Sequence, residues 1–536
     1  MLTLITLLAC NGGDGDTYIR NFDTETETGD QQAWDPIYDD IAEALQADLE
    51  SNTAAGVSMA ILSGGEIVFS AAFGSAHPTE DQPLSTETLF QIGSTTKMFT
   101  SAALLQLVEA GTLELSTTLA DAYLNSEFAL DETWNDSITA QHLLTHQGGF
   151  YDYFDWTADA DDSDLVDWHE EVFFPYLWVM AEPGSFWNYS NPNFNIAGLI
   201  AEHHLETPYP DLMTANIFGP LGMDRTFQRK STVNDDGDFA LGHGYYFNAL
   251  GETLEGPVLM VNVPDMASSR PAGSGTWSTP TQMMEMARFL LGGDGGIVSD
   301  ETREAMKSIQ VPIDSTIDWG YGYGLFVGPG VYLNDDYQEL QVLNHGGNTL
   351  SYSSEFWVIP EHDLAFSILM SGYGSDMSQT VVTTLASLLD LGDAEEAPER
   401  SFDPARLDDH VGLYSDQYNV GDMIVTRQGN DLYVEMPLLD ELGFAVTSKL
   451  QTLSDTVFYL ELDGAWYDLT FLGEPGSPTE WISNRAFVVT RAEEGDGSTD
   501  EEPPTATQRP SRVEMERRLR DAALPAAPLY LSLIHI

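Results

Sequence analysis

Apolar positions recurring every fourth residue open the folded part of the chain. Ile37, Ile41, Leu45 and Leu49 follow Asp35-Pro36, an N-cap with proline at the first helical position, and predict an amphipathic helix. Two unbroken apolar runs, Val57 to Leu62 and Ile67 to Phe73, flank Ser63-Gly64-Gly65-Glu66 and predict a hairpin. Next, Phe90-Gln91-Ile92-Gly93-Ser94-Thr95-Thr96-Lys97 leads into a helix-patterned stretch. There Met98, Ala102, Leu105 and Val108 share a face, and Gly111 supplies the stop. Mixed helices and loops continue to Met306. Leu325 to Val331, Glu339 to Leu343, Ser353 to Ile359 and Leu364 to Met370 then read as strands, and Ser378 to Leu391 as a helix. Strands at both ends with helices between predict an α+β domain. Its antiparallel sheet would be assembled from N- and C-terminal segments, with a helical lobe inserted.

The pattern changes after Ala394-Glu-Glu-Ala-Pro-Glu-Arg400. Seven short strands follow: Val411 to Tyr414, Met423 to Arg427, Leu432 to Met436, Phe444 to Leu450, Val457 to Leu462, Trp466 to Leu472 and Ala486 to Thr490. Turns such as Gln428-Gly429-Asn430 separate them, which predicts a small all-β barrel. The organisation expected is a leader at 1–10, a tether at 11–33 and an α+β domain at 34–394. A linker at 395–404, a barrel at 405–493 and a disordered or non-native tail at 494–536 complete it.

Charge alters this picture more than composition does. The 86 acidic and 20 basic residues leave a net charge of −66, which excludes a basic nucleic-acid-binding surface. So acidic a surface repels itself until dissolved ions screen it, which suits a saline habitat. The single cysteine, Cys10, rules out an internal disulfide and a cysteine-based zinc site. It ends the apolar run Leu2 to Ala9 and resembles the lipidated cysteine of a bacterial lipoprotein signal, though a positively charged start is lacking. Residues 11–32, rich in Gly, Asp and Thr, read as a flexible tether. The end of the chain departs from this character: Arg509 to Ile536 holds five of the sixteen arginines and no lysine.

Candidate chemistry begins at Ser94-Thr95-Thr96-Lys97. One helical turn separates serine from lysine, so the amine can reach the hydroxyl at a helix N-terminus. Of the four lysines, Lys97, Lys230, Lys307 and Lys449, only Lys97 has a serine three residues before it. The competing reading is a capped helix with a solvated lysine. Three further stretches favour chemistry: Leu143-Leu144-Thr145-His146-Gln147-Gly148-Gly149, then Pro183 to Asn191 with Tyr189-Ser190-Asn191, then Asn344-His345-Gly346-Gly347-Asn348. His142 and His146, four apart, carry no His-Glu-x-x-His pattern and read as structural rather than metal ligands. The acidic loop Asp152 to Asp167 reads as a solvated face rather than a calcium site.

In order and spacing, Ser94-x-x-Lys97, Tyr189-x-Asn191 and His345-x-Gly347 resemble the serine hydrolases of the penicillin-binding and class C β-lactamase type. Pro220-Leu221-Gly222-Met223 with Thr226, and Gly275 to Thr279, extend the resemblance over residues 35–392. It implies a β-lactamase/transpeptidase-like fold followed by a lipocalin-like barrel. It also implies a covalent acyl-Ser94 intermediate, with Lys97 and Tyr189 relaying the proton. The sequence does not choose between these two as formal base. Asn191 would orient Lys97, and His345 would face the leaving group. The backbone N–H groups of Ser94 and Asn348 would form the oxyanion hole, and Gly346, Gly347 and Asn348 would line the substrate. Histidine at 345, where class C β-lactamases typically carry lysine, anchors a substrate carboxylate less well. The expectation is therefore an esterase, D,D-peptidase or D-amino-acid amidase with weak or absent β-lactam hydrolysis. The alternatives are a penicillin sensor that acylates without turnover and a true class C-type β-lactamase. No metal and no cofactor are expected. The expected protein is a monomer held at the bacterial envelope, periplasmic or extracellular, through a lipid on Cys10.

Overall fold

The structure is a computed structural model that describes residues 31–123, 132–152, 165–170, 174, 179–244, 258–259, 267–273, 275–293, 296–314, 318–333, 336–349, 351–389, 396, 402–416, 420–492 and 515. The leader with Cys10, the tether to residue 30, the 397–400 stretch and most of the tail lie outside these residues.

Helix α1 spans Gln31–Ser51, so Asp35-Pro36 sits within it rather than at its start. The hairpin follows as β1 Gly56–Ser63 and β2 Glu66–Gly74, turned at Gly64 and Gly65, both with positive φ. Helices α2 Lys97–Glu109, α3 Asn191–Leu205 and α4 Pro280–Leu290 belong to the inserted lobe. Six strands follow: β3 Val311–Asp314, β4 Trp319–Tyr321, β5 Phe326–Leu333, β6 Asp336–Asn348, β7 Ser353–Ile359 and β8 Leu364–Met370. Helix α5, Ser378–Leu388, ends the domain. The eight strands form one antiparallel sheet in the order β2-β1-β8-β7-β6-β5-β4-β3, which joins the two ends of the domain as expected. Val57 pairs with Met370 and Ser63 with Leu364. Strands β3 and β4 were not anticipated, being short and interrupted by glycine and proline.

Strands β1 and β8 are buried along almost their whole length because both faces are covered. On one face α1 and α5 pack with Trp357, Phe366 and Ile368; on the other lie α2, α4 and the rest of the lobe. Asp48, 4% exposed, joins α1 to α5 by accepting hydrogen bonds from the Thr380 amide at 2.8 Å and its hydroxyl at 2.6 Å. The carboxylate thereby satisfies a helix N-terminus that would otherwise be buried without a partner.

The C-terminal strands close an eight-stranded barrel: β9 Gly412–Asp416, β10 Gly421–Gln428, β11 Asp431–Glu435, β12 Val446–Thr452, β13 Val457–Leu462, β14 Ala465–Leu472, β15 Trp481–Asn484 and β16 Phe487–Arg491. Strand β15 is the one missing from the sequence reading. Inward residues including Met423, Val425, Leu432, Val434, Leu460 and Leu469 fill the interior, as a barrel of this size permits. Among the described residues no helix is long and apolar enough to cross a membrane.

Candidate active site

Ser94 sits in a tight 3-10 turn, Gly93–Thr96, that runs directly into α2. The turn requires Gly93 at φ +54°, and a Cβ there would lie 2.7 Å from the Asn348 amide nitrogen. Helix α2 is buried almost all round, with Met98, Phe99, Ala102, Ala103 and Leu104 each 0% exposed, rather than along a single face. It runs through the middle of the lobe, and this takes Lys97 out of water.

Lys97 Nζ lies 2.9 Å from Ser94 Oγ, 2.7 Å from Asn191 Oδ1 and 2.8 Å from the Ala272 carbonyl oxygen. Asn191 Nδ2 donates to Asp152 Oδ1 at 3.0 Å, which fixes the amide so that its oxygen faces the lysine. Two of the three Lys97 partners can only accept. A neutral amine therefore uses both N–H bonds on them and turns its lone pair to the Ser94 hydroxyl. Burial drives the Lys97 pKa well below the usual lysine value, Asp152 opposes that fall and Arg485 adds to it.

Tyr189, 4% exposed, immediately precedes α3. Its ring centroid stands 4.9 Å from Lys97 Nζ and 4.2 Å from the centroid of His146. His146 is fully buried with φ +56°, a conformation non-glycine residues seldom adopt. Its Nδ1 lies 3.1 Å from the Ser190 amide nitrogen, while Nε2 has no hydrogen-bond partner among the described residues. Burial, then Lys97 and His345, hold this imidazole well below its ordinary pKa and therefore neutral. His142 instead closes a helix cap, its Nδ1 3.3 Å from the Thr139 amide. Among the described residues no three His, Cys, Asp or Glu side chains are placed to hold a metal.

The end of β6 forms the opposite rim. A Cβ on Gly347 would collide with the Ile92 carbonyl and lie 2.9 Å from the Ser94 amide nitrogen, so only glycine lets this strand edge reach the Ser94 turn. Gly346 pairs with Glu355 and Asn348 with Ser353 across β7. The Asn348 side chain accepts from Ser353 Oγ at 2.7 Å and from the Gly374 amide at 3.1 Å, which pins the residue whose backbone faces Ser94. His345 is 1% exposed. Its Nδ1 is 2.6 Å from the Gly346 carbonyl, which can only accept, so Nδ1 carries the proton and Nε2 accepts the Tyr321 hydroxyl at 3.2 Å. Burial, reinforced by Lys97, lowers its pKa to about 3. This imidazole is a neutral part of the wall at neutral pH.

Two residues of the site escaped sequence reasoning. Asp152, taken as part of a solvated acidic face, is instead a 9%-exposed side chain at the start of α3, accepting from the Asn191 amide at 2.8 Å. The rest of that loop to residue 164 lies outside the described residues. Arg485, in the turn between β15 and β16, reaches from the barrel to Asp152 Oδ2 at 2.9 Å and stands 4.5 Å above the Tyr189 ring centroid. The only sequence signal was the rarity of cations in so acidic a chain.

Residues 41–390, nearly two thirds of the chain, match the Beta-lactamase family model. The chain belongs to the Beta-lactamase family. Members of this family act as serine hydrolases, and the resemblance drawn from Ser94, Tyr189 and His345 agrees with that membership. Penicillin-binding protein 4* of Bacillus subtilis (strain 168) is 24% identical over 82% of this chain and 92% of its own length. A D-aminopeptidase of Brucella anthropi is 24% identical over 67% of this chain and 64% of its own length. The crystal structure of SurE, 19% identical, superposes with a TM-score of 0.64 over 86% of this chain and all of that one, which shows a shared fold.

Proposed function

We propose that this Beta-lactamase family member hydrolyses an ester or amide through a covalent acyl-Ser94 intermediate. Ser94 Oγ attacks the acyl carbonyl carbon while its proton passes to Lys97 Nζ. The carbonyl oxygen takes up the negative charge, facing the backbone N–H groups of Ser94 and Asn348. Collapse breaks the bond to the leaving group, which receives the proton through Tyr189. Water then attacks the acyl carbon by the same route in reverse, and Ser94 regains its proton. The observation that carries this reading is the fully buried Lys97 amine, held by two obligate acceptors with only the Ser94 hydroxyl left for its lone pair.

For the acyl donor we favour short esters, D-amino-acid amides or D-Ala-D-Ala peptides over β-lactams. The neutral His345 supports the esters and amides of this group, which carry no carboxylate, because a buried imidazole with a pKa of about 3 offers a substrate carboxylate no charge. On this ground alone D-Ala-D-Ala peptides stand level with β-lactams. The D-aminopeptidase relative points the same way. A panel of p-nitrophenyl acetate, D-alanine amide, a D-Ala-D-Ala peptide and nitrocefin tests it. Turnover of nitrocefin faster than of the other three contradicts the choice. A fluorescent penicillin adduct on Ser94 that persists for hours identifies a penicillin sensor instead.

The reading extends to the setting of the enzyme. A lipid on Cys10 would hold a monomer at the envelope, and the net charge of −66 would suit high salt. Membrane fractionation of Cys10→Ser against the parent chain tests the anchor. Thermal melting at low and high salt tests the adaptation, and sedimentation tests the monomer.

A further inference from the structure

The turn that carries Arg485 is built to hold still. Asn484 pairs with Phe487 across β15 and β16, leaving Arg485 and Ala486 as the two turn residues. Asn484, 2% exposed, locks that turn to the barrel: its Nδ2 donates to the Asp468 carbonyl at 2.8 Å and its Oδ1 accepts from the Ala486 amide at 2.9 Å. Beside it, Trp481 of β15 packs on Phe186, ring centroids 5.7 Å apart, and Phe186 lies three residues before Tyr189. The barrel thus rests on the segment that delivers Tyr189, with a guanidinium aimed inward.

We propose that Arg485 is a positioning residue for the acylation of Ser94, through which the barrel completes the active site. It acts in two ways. By pairing with Asp152 it fixes the carboxylate that holds both the backbone and the side chain of Asn191, and Asn191 in turn holds Lys97. By lying over the Tyr189 ring, 4.5 Å from its centroid, it places a cation against the face of the phenol that would share the proton. The groups facing Tyr189 from the other elements are Lys97 of α2, His146, Tyr321 of β4 and His345 of β6. Both imidazoles are neutral, so Lys97, Arg485 and Asp152 set the local charge. The inference rests on the acyl-serine reading of the same site.

Asp152 raises and Arg485 lowers the Lys97 pKa, so removing one or the other must move the acid limb of catalysis in opposite directions. Without Arg485 the unbalanced carboxylate keeps Lys97 protonated to higher pH. Without the Asp152 charge the unbalanced guanidinium releases the proton at lower pH. A role confined to folding would not reverse sign between the two.

The test is the second-order rate of p-nitrophenolate release from p-nitrophenyl acetate across pH 5 to 10, with Ser94 acylation followed by mass, on the full chain and on R485M, R485K and D152N. This ester carries no carboxylate. The expected result is a loss of about 10- to 100-fold for R485M with its acid limb moved to higher pH. For D152N the limb moves to lower pH. R485K keeps the limb in place at a reduced rate, because lysine keeps the charge and loses the planar fork. Since R485K retains a cation at the barrel surface, it also reports if R485M does not fold. A Ser94-dependent parent rate that R485M and R485K leave unchanged overturns this inference alone. So do limbs that move in the same direction, or a loss confined to substrates bearing a carboxylate. A parent chain that never acylates Ser94 overturns the proposed function as well.

Discussion

Around Lys97, the wall that carries Ser94 is made of neighbours in sequence, three residues apart, while the opposite wall is closed by an ion pair between residues 333 positions apart. The first wall needs only a glycine-initiated turn and a buried helix. The second needs the inserted lobe and the barrel to be folded and docked before Asp152, Arg485 and Tyr189 meet. The contrast separates two tasks. In the proposed mechanism the near wall would supply the nucleophile and its base, and the far wall would set the charge in which they work. Both lie in surroundings opposite to the surface: a chain of net charge −66 brings one carboxylate, Asp152, into hydrogen-bond contact with Asn191 behind the lysine.

The comparison breaks most severely at the near wall. Ser94→Ala, and Lys97→Met, which keeps the apolar stem, should each lower kcat/KM by at least about a thousandfold, as measured on the best substrate of the panel. Retention of more than a tenth of the activity in Lys97→Met would remove the lysine from the role of base. Asn191→Ala comes next. It leaves the buried amine short of an acceptor and Asp152 short of a donor, and should cost about 10- to 100-fold in kcat with a smaller change in KM.

The pH dependence sharpens the same contrast. Lys97 must be neutral to take the Ser94 proton, so kcat/KM should rise with pH and level off well below the pKa of an ordinary lysine. A rise that continues to pH 10 would mean that the buried amine stays charged. At the small end, Asp48→Ala removes a buried polar partner of α5 on the other face of the sheet. It should lower stability by about 1–3 kcal/mol in chemical denaturation while leaving kcat unchanged. A fall in kcat would show that the two faces are coupled.

The near wall was legible because its information is local. Ser94 and Lys97 face each other by helical geometry, and His345-Gly-Gly347 marks the end of one element. Of the far wall, the Tyr189-Ser-Asn191 motif at the start of α3 was legible too. The hairpin at Gly64-Gly65 and strands β7 and β8 were legible for the same reason. The ion pair of the far wall was not. Asp152 lies in an acidic run where its neighbours suggest solvent. Arg485 follows β15, whose four residues come after the turn-rich Gly473 to Pro478 and show too short a pattern to register as a strand. His146 read as structural rather than as a metal ligand. That its ring lies against Tyr189 was hidden because the contact depends on the crossing of two segments far apart in sequence, which also brings the Ser190 amide to His146, 44 residues away. The expected one-sided burial of α2 failed because amphipathic reasoning assumes a surface helix, whereas α2 is central.

The most direct test of the central claim is intact-protein mass spectrometry after mixing the chain with p-nitrophenyl acetate and quenching in acid at millisecond to second times. The account predicts one added acetyl group that maps to Ser94, forms faster as pH rises, decays as p-nitrophenolate accumulates and is absent in Ser94→Ala. Turnover without any acyl adduct on Ser94, or an adduct of equal yield in Ser94→Ala, would contradict it.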